Sequence, residues 1–227
     1  MKFKCLGTGS SGNCYLIQLG DDNILLDAGV SIKKIIKNIN LNNIAFAFIS
    51  HEHLDHSKSL QNLRFSGVEC VEGTNIQSFT KISINDKIDT KMSVWCFPVK
   101  HGDVKNSGII IKNHNECILY VTDFTICDYD LFDFKFTSVI VECNYLTRKV
   151  IQNGELIRTR ENIYRHLSLK GCELFLSKLN LTKCKEIILV HFSDDYSEPI
   201  YMGCYINDRF GIKALCCKKN GGYDTYE

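Results

Sequence analysis

Four short apolar runs in this chain each end on a histidine or an aspartate, and no other feature restricts its fold so tightly. Ala45-Phe46-Ala47-Phe48-Ile49 leads into His51, and Ser93-Val94-Trp95-Cys96-Phe97-Pro98-Val99 into Lys100 and His101. Ile118-Leu119-Tyr120-Val121 leads into Thr122 and Asp123, and Ile187-Ile188-Leu189-Val190 directly into His191. Runs of this length and composition read as buried strands. A rigid sheet can aim the groups at its strand ends, while the adjoining loops leave them open to a ligand.

The first run opens onto the densest chemistry in the chain, His51-Glu52-His53-Leu54-Asp55-His56. Imidazole and carboxylate are the ligand types that suit zinc, manganese and iron. On a turn leaving a strand end, alternate side chains can point at two neighbouring places. His51 and His53 are then expected at one metal, and Asp55 and His56 at a second. A lone histidine carries no such implication, and His114, between Asn113 and Asn115, reads as an exposed turn residue.

With 227 residues and 44% hydrophobic content, the chain can bury a full core, and residues 1–227 are read as one domain. No apolar run approaches the roughly eighteen residues of a membrane-spanning helix, and Met1–Gly7 lacks a signal-peptide segment. A soluble, cytoplasmic protein with no membrane partner is expected. The twelve cysteines include no C-x-x-C pair, and Cys96, Cys117 and Cys143 fall inside strand-like runs, so they read as buried thiols. The adjacent pair Cys216-Cys217 has no ligand partners nearby. A net charge of +1 does not mark a general nucleic-acid binder. Locally, Arg148, Lys149, Arg158, Arg160 and Arg165 are opposed only by Glu155 and Glu161. Such a segment suits either an anionic substrate or an ordinary solvated face.

The opening pattern predicts strands at 2–6, 14–19 and 24–27 around a glycine loop and a tight turn, then a helix over 31–39 with Ser31 as N-cap. A short helix is expected over 57–65, mostly short strands over 68–121, and a buried strand at 139–141 ending on Glu142. A helix over 169–179 capped by Ser168, a helix over 199–210, a strand at 212–216 and a polar tail complete the pattern. Two sheets with helices outside them follow, an α/β four-layer αββα sandwich. Gly7-x-Gly9-x-x-Gly12 imitates a dinucleotide fingerprint, with Asp27 twenty residues after Gly7. That motif requires a helix after the glycines. Here a strand follows, so the glycines are expected to form a tight loop at the rim of the active site.

Taken in order, Asp27 in Leu-Leu-Asp-Ala-Gly, the His51–His56 cluster, His101, Asp123 and His191 resemble the metallo-β-lactamase-fold hydrolases along nearly the whole chain. Leu6-Gly7-Thr8-Gly9-Ser10-Ser11-Gly12-Asn13, Glu142-Cys143-Asn144-Tyr145 and His166-Leu167-Ser168 resemble the YycJ (WalJ)-like branch, and the layout is also similar to ribonuclease Z. The resemblance implies two divalent metal ions, zinc or manganese with iron as an alternative. His51, His53 and His101 would bind one and Asp55, His56 and His191 the other, with Asp123 bridging and Asp27 supporting the ligand loop. Tyr145 departs from the branch, whose members tend to carry a histidine there. The 68 positions from Asp123 to His191 leave no room for the inserted domain of the β-CASP nucleases.

A carboxylate at Asp123, where zinc β-lactamases use a thiolate, favours phosphate esters. The implied activity is a metal-dependent phosphodiesterase, in which hydroxide between the metals, oriented by Asp55, attacks phosphorus. His166, hydrogen-bonded to Glu142, would stabilise the developing charge or protonate the leaving oxygen. The substrate would be a nucleic acid end, as for a YycJ-like nuclease. The alternatives are a signalling cyclic nucleotide, as in phage-type immune evasion, and a carbon ester, thioester or lactone. The resemblance also admits a homodimer.

Overall fold

The computed structural model describes residues 1–84, 92–153 and 165–226. Five strands form one sheet in sequential order: β1 (Lys2–Gly7), β2 (Cys14–Leu19), β3 (Asp22–Leu26), β4 (Ile44–Ile49) and β5 (Cys70–Glu72). The first three are antiparallel, and β3, β4 and β5 run parallel. The second sheet holds β6 (Thr80–Ile82), β7 (Ser93–His101), β8 (Val104–Lys112), β9 (Cys117–Val121), β10 (Ser138–Glu142), β11 (Glu186–Val190), β12 (Lys213–Cys217) and β13 (Tyr223–Tyr226). Within it, β9, β10, β11 and β12 are parallel.

Alternation along each strand divides the apolar side chains between two layers. Ile188 and Val190 of β11 join Tyr15, Ile24, Leu26, Phe46 and Phe48 of the first sheet in the core between the sheets. Ile187 and Leu189 face the other way, toward α5 (Leu169–Leu176) and α6 (Pro199–Phe210), whose Cys172, Leu176, Met202 and Ile206 share their cluster. Leu25, Ala47 and Ile49 cover the outer face of the first sheet with Ile35 of α1 (Ile32–Asn38) and Leu60 and Leu63 of α3 (Leu60–Phe65). These are the four layers of the expected αββα sandwich. Among the described residues no helix is long and apolar enough to cross a membrane.

The structure corrects several boundaries. The helix expected over 57–65 is two short pieces, α2 (Leu54–Ser57) and α3, so helix begins inside the histidine cluster. The middle is dominated by one long hairpin, β7–β8, paired from Ser93↔Lys112 to His101↔Val104. The polar tail contains β13, antiparallel to β12. An additional helix, α4 (Thr147–Asn153), follows β10. Ser31 precedes α1 but its side chain makes no capping bond, whereas Ser168 accepts from Gly171 N at the start of α5. After the glycine loop comes β2 rather than a helix, which removes any dinucleotide reading of Gly7–Gly12. Eight of the twelve cysteines are buried thiols, including Cys216 and Cys217 on β12, but Cys204 on α6 is exposed.

Candidate metal centre

The parallel strands of both sheets, with β7 alongside in the same direction, end at one edge of the sandwich. Asp27 follows β3, His51 follows β4, His101 closes β7, Asp123 follows β9, Glu142 closes β10 and His191 follows β11. Asp27, Asp123 and His191 have φ of 57°, 53° and 56°, and no other non-glycine residue among those described has positive φ. Left-handed backbone at such residues costs on the order of 1–3 kcal/mol each and persists only where the surroundings hold it. Here Asp27 N donates to Phe48 O at 2.7 Å and His191 N to Thr8 Oγ1 at 2.8 Å. Asn106 Nδ2 donates to the carbonyls of Thr122 and Asp123 at 2.8 and 2.5 Å, while Thr122 Oγ1 donates to Asp123 Oδ1 at 2.7 Å.

Two groups of ligand atoms meet there. His51, His53 and His101 offer nitrogens within 4.8 Å of one another, as do the donor atoms of Asp55, His56 and His191. Asp123 lies between the groups. Its Oδ2 is 3.9 Å from both His51 Nε2 and His101 Nε2, and its Oδ1 is 3.4 Å from His56 Nε2 and 3.5 Å from His191 Nε2.

The outward nitrogens are fixed by what the inward ones bind. His56 Nδ1 is bonded to Asp27 Oδ2 at 2.6 Å, His101 Nδ1 to the Arg165 carbonyl at 2.9 Å, and His191 Nδ1 to Glu142 Oε1 at 3.2 Å. Each bond selects the tautomer with its lone pair on Nε2. His101 Nε2 and His191 Nε2 are buried and have no hydrogen-bond partner. A buried polar atom without a partner costs about 1–3 kcal/mol, and a divalent cation satisfies a lone pair of this kind. The donor set, imidazole and carboxylate without thiolate, fits zinc, manganese or iron.

Asp27 organises the loop from beneath. Its carboxylate accepts from Ser50 N at 2.7 Å, Ser50 Oγ at 3.0 Å and Tyr120 Oη at 2.5 Å, besides the His56 ring. Ser50 Oγ also lies 3.0 Å from His51 Nδ1, so one carboxylate steadies both metal groups. Burial, then the Asp27 charge, pushes the Tyr120 hydroxyl well up and keeps it a donor. Gly29 is obligatory beside this loop, because a Cβ there would sit 1.6 Å from the Asp55 carbonyl. Tyr120, Asn106 and Ser50 escape a sequence reading. Their only trace is a polar atom inside or just after an apolar strand, and Asn106 within Val104–Lys112 is the clearest case.

The electrostatics of the two groups differ. Burial and then the neighbouring His56 drive His51 down to about 2, and burial also lowers His101, so both favour neutral imidazole. At His191 burial opposes the charged form, but Asp123 and then the neighbouring Asp55 and Glu142 carboxylates outweigh it and raise the ring to about 10. His56 is raised in the same sense by Asp123 and Asp27, against its burial. Asp55 and Asp123 are held low by these histidines despite burial.

Glu142 is fully buried and His166 is beside it, with Nδ1 2.5 Å from Glu142 Oε1. Glu142 Oε2 accepts from Phe124 N and Leu167 N, each at 3.1 Å, so this carboxylate holds main chain as well as two histidines. His166, Asp123, Glu142 and His191 form a further convergent group within 4.8 Å. Tyr145 is buried and packs with Val150 and Tyr196. His114 is exposed, as expected. The basic segment divides. Arg158 and Arg160, with Glu155 and Glu161, lie outside the described residues. Arg148 and Lys149 pair with Glu198 at 2.7 and 3.3 Å, an opposing acid distant in sequence. Arg165 is exposed, and its side chain lies against Gly102, next to His101.

Residues 7–71, which carry Asp27 and the His51–His56 cluster, match the sequence model of the Metallo-beta-lactamase superfamily. No curated protein matches the chain in sequence. The fold is shared with YhfI, a metallo-beta-lactamase fold protein from Bacillus subtilis, at TM-score 0.72 and 15% identity over 99% of both chains. It is also shared with the short form of human tRNase Z, at TM-score 0.63 and 14% identity over 100% of this chain and 99% of that one. A third similar structure is Zn(2+)-bound PqqB from Methylobacterium extorquens, at TM-score 0.64 and 13% identity over 100% of both chains.

Proposed function

For a chain with the metallo-beta-lactamase fold, we propose that the two convergent groups hold a pair of divalent metal ions and that the protein is a metal-dependent phosphodiesterase. The observation that carries this reading is the meeting of the buried, partnerless Nε2 atoms of His101 and His191 at the two oxygens of Asp123. His51, His53 and His101 would take one ion, and Asp55, His56 and His191 the other, with Asp123 shared. When bound, such a pair supplies Lewis acidity, lowering the pKa of water and neutralising charge on a phosphoryl oxygen.

The chain's own groups would do the rest. Asp55 has a side chain 25% exposed and an Oδ2 within 3.6 Å of His191 Nε2, so it can orient an incoming water while its other contacts hold it. Glu142 anchors His166 through Nδ1, which leaves Nε2 as the nitrogen that can pass a proton to a leaving oxygen. Three features support phosphate chemistry. Asp123 is a hard carboxylate, Arg165 stands exposed beside His101, and tRNase Z, by its name an enzyme acting on tRNA, shares the fold. A YycJ-like nuclease is the leading form.

The test joins elemental analysis with a substrate panel. Purified protein supplied with manganese or zinc is assayed on bis(p-nitrophenyl) phosphate, single-stranded DNA, pre-tRNA, cyclic mononucleotides, a thioester and a lactone. The expected outcome is about two metals per chain with turnover of phosphodiesters. Turnover of cyclic mononucleotides alone would move the substrate to a signalling nucleotide. Hydrolysis of thioester or lactone without phosphodiester cleavage would overturn the reading.

A further inference from the structure

The geometry points to Asn13 as a positioning residue that clamps Asp55 and so governs the second metal group, Asp55–His56–His191, separately from the first. This inference rests on the metal-pair reading above.

Asn13 is fully buried on the glycine loop. Its Oδ1 accepts from Gly9 N at 2.8 Å and from Tyr15 Oη at 3.0 Å. Two donors on one end identify that end as the oxygen, so the amide nitrogen must face the metal loop. There Nδ2 lies 2.9 Å from His56 Nε2 and 3.3 Å from both Asp55 Oδ2 and Asp55 O, with Gly9 O at 3.1 Å. The main chain grips the same residue, since Asn13 N donates to Asp55 O at 2.7 Å. Once His56 Nε2 is committed to a metal, the Asn13 amide retains the Asp55 carboxylate as its acceptor.

Asp55 is the ligand of the second group that most needs such a hold. Its side chain is 25% exposed, against 6% or less for His51, His56, His101, Asp123 and His191. Packing therefore immobilises it less than those five. The chain of bonds also has a second end. Thr8 Oγ1 is 2.7 Å from Tyr15 Oη and accepts from His191 N at 2.8 Å. Asn13, Tyr15 and Thr8 thus connect Asp55 to His191, two ligands of the same group. Among the described residues none of these three side chains bonds to His51, His53 or His101.

The test is a zinc titration of chelator-stripped protein against a chromophoric competitor, for wild type, Asn13→Ala and Tyr15→Phe. Wild type is expected to take up two ions. In Asn13→Ala the first affinity should stay within about twofold while the second falls about 10–100-fold, the range for a lost supporting bond to a metal ligand. Tyr15→Phe keeps the ring and loses one donor to Asn13, so the second affinity should fall by less. An unchanged second affinity, or a parallel loss at both groups, would sink the inference, because a merely structural residue weakens both. If Asn13→Ala does not fold, the same two outcomes are read from Tyr15→Phe. Wild type that binds no ions would overturn the metal reading and this inference together. Two ions in wild type and an unaltered Asn13→Ala would overturn this inference alone.

Discussion

At the scale of single residues, the centre depends on acids whose partners were chosen by distance in space. Glu142 holds the rings of His166 and His191 and two main-chain amides at once. Removing His166 leaves that carboxylate three of its partners, so the site should persist without the proposed proton donor. His166→Ala is expected to keep the wild-type metal content while kcat falls about 10²–10⁴-fold, the usual worth of a general acid. Elemental analysis beside steady-state kinetics checks this, and an unchanged kcat would remove His166 from the chemistry. The pairing of His166 with Glu142 was legible in the sequence through its resemblance to known hydrolases. The hold of Asn106 on the Asp123 backbone was not, because asparagine inside a strand has no signature of its own.

At the scale of elements, the outer layer over the second sheet is tied by Glu173. This carboxylate on α5 binds Lys170 of its own helix at 2.6 Å, and Tyr205 and Arg209 of α6 at 2.7 and 2.9 Å. The Lys170 bond, then those to Arg209 and Tyr205, bring its pKa down to about 2. A depressed carboxylate contributes stability above its unfolded pKa, and that contribution is lost as pH falls through the folded value. Glu173→Gln should therefore destabilise the protein at pH 7 by about 1 kcal/mol, since the cationic partners are largely solvated. The gap to wild type should close between roughly pH 4.5 and 2. Denaturant melts at several pH values read this directly, and a pH-independent gap would show that Glu173 acts through packing alone. The helix itself was legible from its apolar spacing and the Ser168 cap. Its neighbour across the layer was not, because helix pairing leaves no local pattern. The same limit explains β13, a polar strand recognisable only by the partner it adds to.

At the scale of the whole molecule, the centre straddles two sheets. The first contributes Asp27 and His51–His56, the second His101, Asp123, Glu142 and His191. Ions held between them would bind the folded state and not the unfolded chain. Chelation should then lower the melting temperature as well as abolish turnover, and zinc should restore both. Free metal at a hundred times Kd corresponds to about 2.7 kcal/mol of added stability. Differential scanning calorimetry with and without chelator measures it, and a melting temperature indifferent to metal would contradict a site that joins the sheets.

The sequence by itself determined that four apolar runs are buried strands leading into His51, His101, Asp123 and His191, because burial and side-chain alternation are properties of adjacent residues. Tertiary structure alone decided that those ends share one edge, that Asp123 turns an oxygen toward each group, and that Asn13, Tyr120 and Asn106 stand behind the ligands. Those facts depend on the register and stacking of two sheets, and that information is spread over residues a hundred positions apart.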